Sequence, residues 1–143
     1  NPLTGRKIAK DGVLRAYDSQ VTVIPEGDDV HEAFGWASLS PKRYSSGGTY
    51  LKFNKKYRLD ARLLGGPRAI IVSNEYDKVF PMDIFPEQLI KATLAFNIDK
   101  MEQLGIYEVA PEDFALCEFV DTSKLEIQRI IRTGLDLLRN EME

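Results

Sequence analysis

The sequence has one histidine and one cysteine, the residue types most often used in nucleophilic and thiol chemistry. A nucleophilic triad needs a base beside its nucleophile, but His31 lies in an acidic turn before Glu32 and is interpreted as a surface histidine. Cys117 lies among apolar residues, which favours a buried, unreactive thiol over a redox centre. A single cysteine also excludes a four-thiolate metal site within one chain.

Paired glycines and paired acids do not form a catalytic or phosphate-binding motif either. Gly47-Gly48 and Gly65-Gly66 lack the spacing of a phosphate-binding loop and are interpreted as turns. Glu112 and Asp113 could act as acid and base, but adjacent residues on a helix point about 100° apart. Their position after Pro111 instead indicates acids in the first turn of a helix. No motif in the chain is catalytic on its own.

Charge divides the chain into two unlike parts. Residues 1–68 contain 12 basic and 7 acidic residues, whereas residues 69–143 contain 7 basic and 15 acidic residues. The basic excess is densest in residues 42–68, the basic stretch, in which Asp60 is the one acid. Such a stretch can bind phosphates, an anionic membrane surface or an acidic protein. Its aromatic residues could stack nucleic-acid bases, but the sequence pI of about 5.3 argues against that partner.

Length and hydropathy limit the class of protein. A chain of 143 residues can form one domain or two small units that share a core. The longest apolar runs, such as 69–72, are far shorter than the roughly 20 residues that span a bilayer. The chain has no starting Met and no signal segment, so we expect a reducing cytoplasmic location and a piece of a longer protein.

The first part of the chain predicts strands. Residues 13–17 and 20–24 are rich in strand-forming types, and the two residues between them suit a hairpin turn. A third strand is predicted at 34–39 and a further short strand at 49–53, within a connection that spans 41–68. Three short strands leave open edges, so a larger β-unit is expected.

The second part predicts four helices of modest length. The first begins at Pro86, and Asn97 caps a second that Gly105 ends. Pro111 opens a third, and a capping box at Ser123–Glu126 opens the fourth. The fourth carries a broad apolar face formed by Leu125, Ile127, Ile130, Ile131, Leu135, Leu137 and Leu138. The predicted fold class is therefore α+β.

Five separated strings together resemble one known family. They read VTVIPEGD at 21–28, FGW at 34–36, PMDIFP at 81–86, MEQLGIYE at 101–108 and EDFALCEFV at 112–120. These strings resemble the family formed by the A subunits of the sodium-translocating NADH:quinone reductase, in order along almost the whole chain. The resemblance places the chain as the C-terminal third of such a protein.

The resemblance implies a peripheral segment on the cytoplasmic side of the bacterial inner membrane. The complex oxidises NADH, reduces ubiquinone and exports sodium. The resemblance implies that NAD, flavins, iron–sulfur centres and ubiquinone are used through other subunits, with no cofactor bound by this segment. It also implies the end of a soluble-ligand-binding β-grasp (SLBB) unit at 1–40, a basic connecting segment at 41–68 and a helical domain at 69–143.

A second, more distant resemblance concerns this helical domain. The C subunit of the Rnf electron-transport complex carries two runs of the type C-x-x-C-x-x-C-x-x-x-C-P that hold two four-iron clusters. Laid on this chain, the first run falls on Ile70, Ser73, Tyr76 and Phe80, directly before Pro81, and the second on Pro111, Phe114, Cys117 and Asp121. One thiol of eight remains, so the domain resembles a cluster-less ferredoxin with an apolar core in place of its clusters. An unrelated helical bundle with coincidental spacing is the alternative.

The chain also departs from its own family. The A subunits often carry a second cysteine at the position of Asp121, so a thiol pair with Cys117 cannot form here. This difference argues against a redox role for Cys117.

These observations predict a docking segment that is not catalytic alone. No catalytic, cofactor-binding or metal-binding residue is assigned, and the expected partners are other subunits of the reductase, the membrane surface and ubiquinone, without nucleic acid. The predicted docking residues are Lys42, Arg43, Lys52, Lys55, Lys56 and Arg58. The alternative is that the segment lines a quinone site with Phe34, Trp36 and Tyr44, for which core packing of Trp36 is the competing interpretation.

Overall fold

A computed structural model describes residues 8–16, 18–27, 44, 56–57, 59–62 and 66–143. The chain divides into two compact units, Asn1–Gly65 and Gly66–Glu143. Over the part of the chain that the structure describes, the helices are α1 (Pro86–Leu94), α2 (Ile98–Gln103), α3 (Ala115–Val120) and α4 (Ile127–Met142), with short 3-10 helices at Ile106–Glu108 and Pro111–Phe114. Among these same residues, no helix is long and apolar enough to cross a membrane.

The α+β fold class is wrong for the residues that the structure describes, because none of them lies in a β-strand. Residues 13–16 and 20–24 are irregular, and Val13 and Val23 are 84% and 87% exposed. Strand-forming side chains favour a sheet only when they pack against cross-strand neighbours, and these do not. The predicted strands at 34–39 and 49–53 lie outside the described residues.

A local turn takes the place of the predicted hairpin. The backbone N–H of Asp18 donates to the Arg15 carbonyl at 3.1 Å, and the Arg15 N–H donates to Asp18 Oδ2 at 2.9 Å. Both bonds are satisfied within four residues, so the chain reverses without pairing two strands. The SLBB β-grasp assignment of residues 1–40 therefore finds no sheet in the described part of that range. The boundary between 1–40 and 41–68 stays a prediction.

The first helix begins at its predicted signal, and the second both begins and ends at predicted signals. Pro86 is the first residue of α1, where its missing N–H costs no helical hydrogen bond. Asn97 caps α2, since its side-chain oxygen accepts the Lys100 N–H at 3.0 Å. Gly105 follows α2 with a φ of +85°, which glycine adopts without strain.

The fourth helix begins later than predicted, and its capping box does not form. Ser123 Oγ donates instead to the Ala69 carbonyl at 3.3 Å, and Lys124 adopts a φ of +60°, which is incompatible with a helix. The helix then starts at Ile127, where Glu118 Oε2 accepts the Gln128 N–H at 3.0 Å. A carboxylate from α3 therefore satisfies a donor that a local cap was expected to satisfy.

The core of the helical unit forms between α1, α2, α3 and α4. Each helix contributes a fully buried side chain, among them Leu89, Met101, Cys117 and Ile131. The apolar face predicted for α4 is confirmed, because Ile127, Ile131 and Leu138 are buried and the others pack partly against the core. Burial of this apolar surface is the main stabilising term of the unit.

Helices α1 and α4 approach closely at Gly134. A Cβ at this position would lie 2.6 Å from Thr93 Cγ2 and 3.5 Å from Met101 Sδ. Thr93 is itself buried, and its hydroxyl donates to the Leu89 carbonyl at 2.9 Å, which fixes the orientation of its methyl group. Glycine at 134 therefore sets the distance between the two helices.

Candidate functional site

A buried tyrosine and a carboxylate form the main polar contact of the helical unit. Tyr76 lies in the turn before α1 and is 3% exposed, and its hydroxyl donates to Asp121 Oδ1 at 2.6 Å. Asp121 follows α3 and accepts two further bonds, from Ser123 N–H at 2.9 Å and from Leu125 N–H at 2.8 Å. One carboxylate thus joins the turn at Tyr76 to the connection between α3 and α4.

The environment of Tyr76 keeps its hydroxyl protonated. Burial raises the pKa of Tyr76 far above its usual value, and the hydrogen bond and negative charge of Asp121 raise it further. A phenol held in this way donates a hydrogen bond but does not accept a proton from a substrate. The contact is suited to holding the fold together rather than to acid–base catalysis.

Cys117 lies beside this contact and is fully buried, which confirms the burial predicted from its apolar neighbours. Burial raises the pKa of its thiol to about 12, and the negative charge of Asp77 adds to the shift. The thiolate is the reactive form of cysteine, so this environment suppresses its reactivity.

We expect Cys117 in the native protein to react at least about a hundredfold more slowly with iodoacetamide at pH 8 than in the urea-unfolded chain, because the folded thiol is both enclosed and protonated. Mass spectrometry of samples quenched at intervals would measure both rates, and every label reports on this one cysteine. Equal native and unfolded rates would show that the thiol is accessible and ionised in the fold.

A second, apolar contact lies next to the polar one. The rings of Phe80 and Phe114 are 4.7 Å apart between centroids and tilted by 47°. Phe114 is fully buried and Phe80 is 9% exposed, and Pro111 and Cys117 are buried as well. Contact between two aromatic rings adds to the stabilisation that burial already provides.

Buried charge elsewhere in the unit also has a structural use. Glu87, at the start of α1, is 2% exposed, and its Oε1 accepts the Ser73 N–H at 3.1 Å.

Within the described ranges, no group of three or more His, Cys, Asp or Glu side chains could hold a metal ion.

The structure describes one of the six predicted docking residues. Lys56 is exposed, whereas Lys42, Arg43, Lys52, Lys55 and Arg58 lie outside the described residues. The single acid of the basic stretch, Asp60, binds Arg62 through Nη2 at 2.7 Å and Nε at 3.1 Å. Asp60 is therefore engaged by an arginine that was not among the predicted docking residues.

The predicted quinone-proximal residues are described only in part. Tyr44 is 41% exposed, and its ring meets Tyr57 edge-on, with centroids 5.5 Å apart and planes at 77°. Phe34 and Trp36 lie outside the described residues. An aromatic surface formed by these three side chains stays a prediction.

Comparison with known proteins shows what the chain is similar to. It is 35% identical over 132 residues to the A subunit of the Na(+)-translocating NADH-quinone reductase of Neisseria meningitidis serogroup B, and 37% identical over 139 residues to that of Haemophilus influenzae. These alignments cover 90% and 94% of this chain. The chain is a homologue of the C-terminal part of this A subunit. The resemblance predicted from five strings is confirmed.

The chain spans 29% and 31% of the length of these two relatives. The corresponding protein of Neisseria gonorrhoeae is likewise 35% identical over 132 residues. No protein-family profile matches the chain.

The sequence did not predict a pair of cations in the helical unit. The Arg68 N–H donates to the Ser123 carbonyl at 2.9 Å, which places Arg68 next to the turn that contains Lys124. Burial lowers the pKa of Lys124, and the positive charge of Arg68 lowers it further. Residues 68 and 124 are distant in sequence and meet only through the tertiary fold, so no local pattern could have predicted the pair.

Proposed function

We propose that this segment docks its parent protein, the A subunit, onto the membrane part of a sodium-pumping NADH:ubiquinone oxidoreductase without being catalytic itself. The observation that carries the proposal is the match over 90% of the chain to proteins named as part of that reductase. In this role the segment supports electron transfer from NADH to quinone, coupled to sodium export, while NAD, flavins, iron–sulfur centres and ubiquinone are bound by other subunits. It works at the cytoplasmic face of the bacterial inner membrane.

The charge distribution supports an electrostatic docking surface. Residues 42–68 contain eight basic residues and one acid, and that acid is engaged by Arg62. Lys56 is exposed in the first unit. Within the helical unit, Arg68, one of these eight basic residues, lies next to the turn that contains Lys124. Clustered positive charge of this kind attracts acidic protein surfaces or anionic head groups and fixes orientation during encounter.

The use of the buried polar groups supports a role without catalysis. Tyr76 and Asp121 bind each other and the backbone, and Cys117 is enclosed in the core with a raised pKa. These groups are used within the helical unit, where they stabilise the fold. Contacts with partners are therefore assigned to the charged surface.

The test is capture of the membrane-embedded subunits from a detergent extract by the 143-residue chain, at low and at high salt. We expect capture that weakens as salt rises, since charges at a surface are screened beyond about 10 Å at 0.1 M ionic strength. Salt-insensitive capture would contradict the electrostatic part of the proposal.

Two variants with equal loss of charge make the test specific. In the basic stretch, K52Q/K55Q/K56Q/R58Q is expected to weaken capture at low salt by about tenfold or more, because each exposed ion pair contributes about 0.2–1 kcal/mol. The matched control K78Q/K100Q/R129Q/R139Q removes four exposed cations of the helical unit and should bind like the parent chain. If both variants lose capture equally, net charge rather than the basic stretch determines binding.

Absence of capture by the parent chain would contradict docking altogether. In that case, quenching of the single tryptophan, Trp36, by added ubiquinone would favour the alternative in which the segment lines a quinone site.

A further inference from the structure

Arg68 and Lys124 form a pair of neighbouring cations that the backbone of the helical unit holds together. The Arg68 N–H donates to the Ser123 carbonyl at 2.9 Å, and Ser123 Oγ donates to the Ala69 carbonyl at 3.3 Å. Ser123 itself is 3% exposed. These two bonds fix the chain at residue 68 beside the turn that contains residue 124.

Lys124 adopts a backbone conformation that is rare for residues with a side chain. Its φ is +60°, in the left-handed region. Asp121 fixes the turn on both sides of this residue, since Oδ1 accepts the Ser123 N–H at 2.9 Å and Oδ2 accepts the Leu125 N–H at 2.8 Å. Glycine would adopt the same φ without strain. A lysine at this position is therefore expected to have a use that offsets the cost to the backbone.

The acids that neighbour Lys124 in sequence are engaged by other groups. Asp121 accepts three hydrogen bonds, and Oε2 of Glu126 lies 2.9 Å from Nη1 of Arg129. In the part of the chain that the structure describes, neither Lys124 nor Arg68 forms an ion pair with a carboxylate. Burial and the positive charge of Arg68 both lower the pKa of Lys124, as expected for two cations without an anion between them.

We propose that Arg68 and Lys124 form a binding site for one phosphate group. A phosphate monoester carries a charge of about −1.5 to −2 at pH 7, which matches two cations better than the single charge of a carboxylate does. Arginine presents a fork of N–H groups that fits phosphate oxygens, and lysine adds a point charge. Arg68 is exposed and Lys124 is half-buried, so a ligand can reach the pair from solvent. The site goes beyond the proposed docking, since a phosphate group can bind whether or not the segment docks.

The test is a titration of the isotope-labelled 143-residue chain with sodium phosphate at pH 7, followed by NMR. Sodium chloride keeps the ionic strength constant, so that general screening does not change. We expect saturable shifts of the amide signals around residues 68 and 124. Sodium acetate is the comparison ligand, and we expect it to bind about tenfold more weakly, because it carries a single charge. Equal affinity for acetate would overturn the assignment to phosphate.

Two variants with the same loss of charge locate the site. R68Q/K124Q is expected to lose the saturable shifts. The matched control K78Q/R139Q removes two exposed cations, each of which lies within 3.4 Å of a carboxylate, and should bind phosphate like the parent chain. Equal loss in both variants would overturn the proposal, because net charge rather than this pair would then hold the anion.

Lys124→Gly separates binding from stability. Glycine relieves the strain at φ +60°, so we expect unfolding at a higher urea concentration than for the parent chain. Phosphate should bind this variant about tenfold more weakly, because a charged donor is lost. Unchanged phosphate affinity would overturn the proposal. A lower urea midpoint would do the same, since Lys124 would then serve the fold rather than a ligand.

Vesicles distinguish two sources of the phosphate group, a soluble phosphate and a lipid head group. The probe is sedimentation with phosphatidylcholine vesicles, with and without phosphatidic acid, whose head group is a phosphate monoester. Loss of sedimentation in R68Q/K124Q but not in K78Q/R139Q would assign the group to a lipid, and binding of phosphate without that loss would assign it to a soluble ligand. Capture of the membrane-embedded subunits is a separate measurement, so failure of this site and failure of docking are distinguishable. Absence of both phosphate-induced shifts and this loss of sedimentation would overturn the proposal.

Discussion

Replacing Phe114 with alanine is expected to lower the free energy of unfolding of the helical unit by about 3–5 kcal/mol. The side chain is fully buried, and its ring packs 4.7 Å from that of Phe80, between the second 3-10 helix and α3. Truncation removes apolar burial and leaves a cavity that the surrounding helices cannot fill without moving. Urea unfolding followed by far-ultraviolet circular dichroism would measure the loss.

Leu116 is the control for this substitution. It lies two residues away, but its side chain is 56% exposed. Leu116→Ala is expected to change the free energy of unfolding by about 0.5 kcal/mol or less. Similar losses for the two variants would mean that Phe114 is not the centre of the core.

Replacing Asp121 with alanine is expected to lower the free energy of unfolding by about 3 kcal/mol, because one carboxylate accepts hydrogen bonds from three donors. These donors are the Tyr76 hydroxyl, the Ser123 N–H and the Leu125 N–H, at distances between 2.6 and 2.9 Å. Tyr76 and Ser123 are each 3% exposed, so water cannot easily replace the lost acceptor. Urea unfolding of both chains under the same conditions would measure the difference.

Asp136 provides a matched control, since it is exposed on α4 and undergoes the same chemical change. The free energy of unfolding of Asp136→Ala should differ from that of the parent chain by about 0.5 kcal/mol or less. A double-mutant cycle with Tyr76→Phe isolates the buried contact, and we expect the two losses to be less than additive. Strict additivity would indicate that Tyr76 and Asp121 stabilise the unit independently.

Local signals predicted the start and end of the helices where the deciding contacts are themselves local. Pro86 and Asn97 act within one turn of their helices, and Gly105 needs only its own backbone freedom. Because each signal depends only on nearby residues, the tertiary fold does not change its effect. The apolar face of α4 was predictable for a related reason, because helical periodicity alone decides which residues share a side.

The failures concern positions at which a distant group competes with the local one. Ser123 was expected to cap α4, but Asp121 binds the N–H groups of Ser123 and Leu125, and the chain turns at Lys124 before the helix begins. The predicted strands did not form at 13–16 and 20–24 although the residue types there favour strands, since the part of the chain that the structure describes contains no strand with which they pair. Propensity describes what a segment favours, and tertiary contacts decide whether that preference is met.

The candidate sites were predicted unevenly for the same reason. Phe80 and Phe114, which the distant resemblance places at cluster positions, have rings in contact, and their origin as replaced cluster ligands stays a prediction. Tyr76 was expected only to fill volume in the core, whereas the structure shows that its hydroxyl donates a hydrogen bond to Asp121. The pair Arg68 and Lys124 had no signal in the sequence at all.

The close approach of α1 and α4 has a consequence for how related sequences can vary. Positions 134 and 93 share one small volume, since a Cβ at 134 would lie 2.6 Å from the methyl group of Thr93. A serine at 93 would keep the hydroxyl bond to Leu89 and free the space of that methyl group. Alanine at 134 and serine at 93 are therefore expected to occur together during divergence, so that the two positions covary although they lie on different helices.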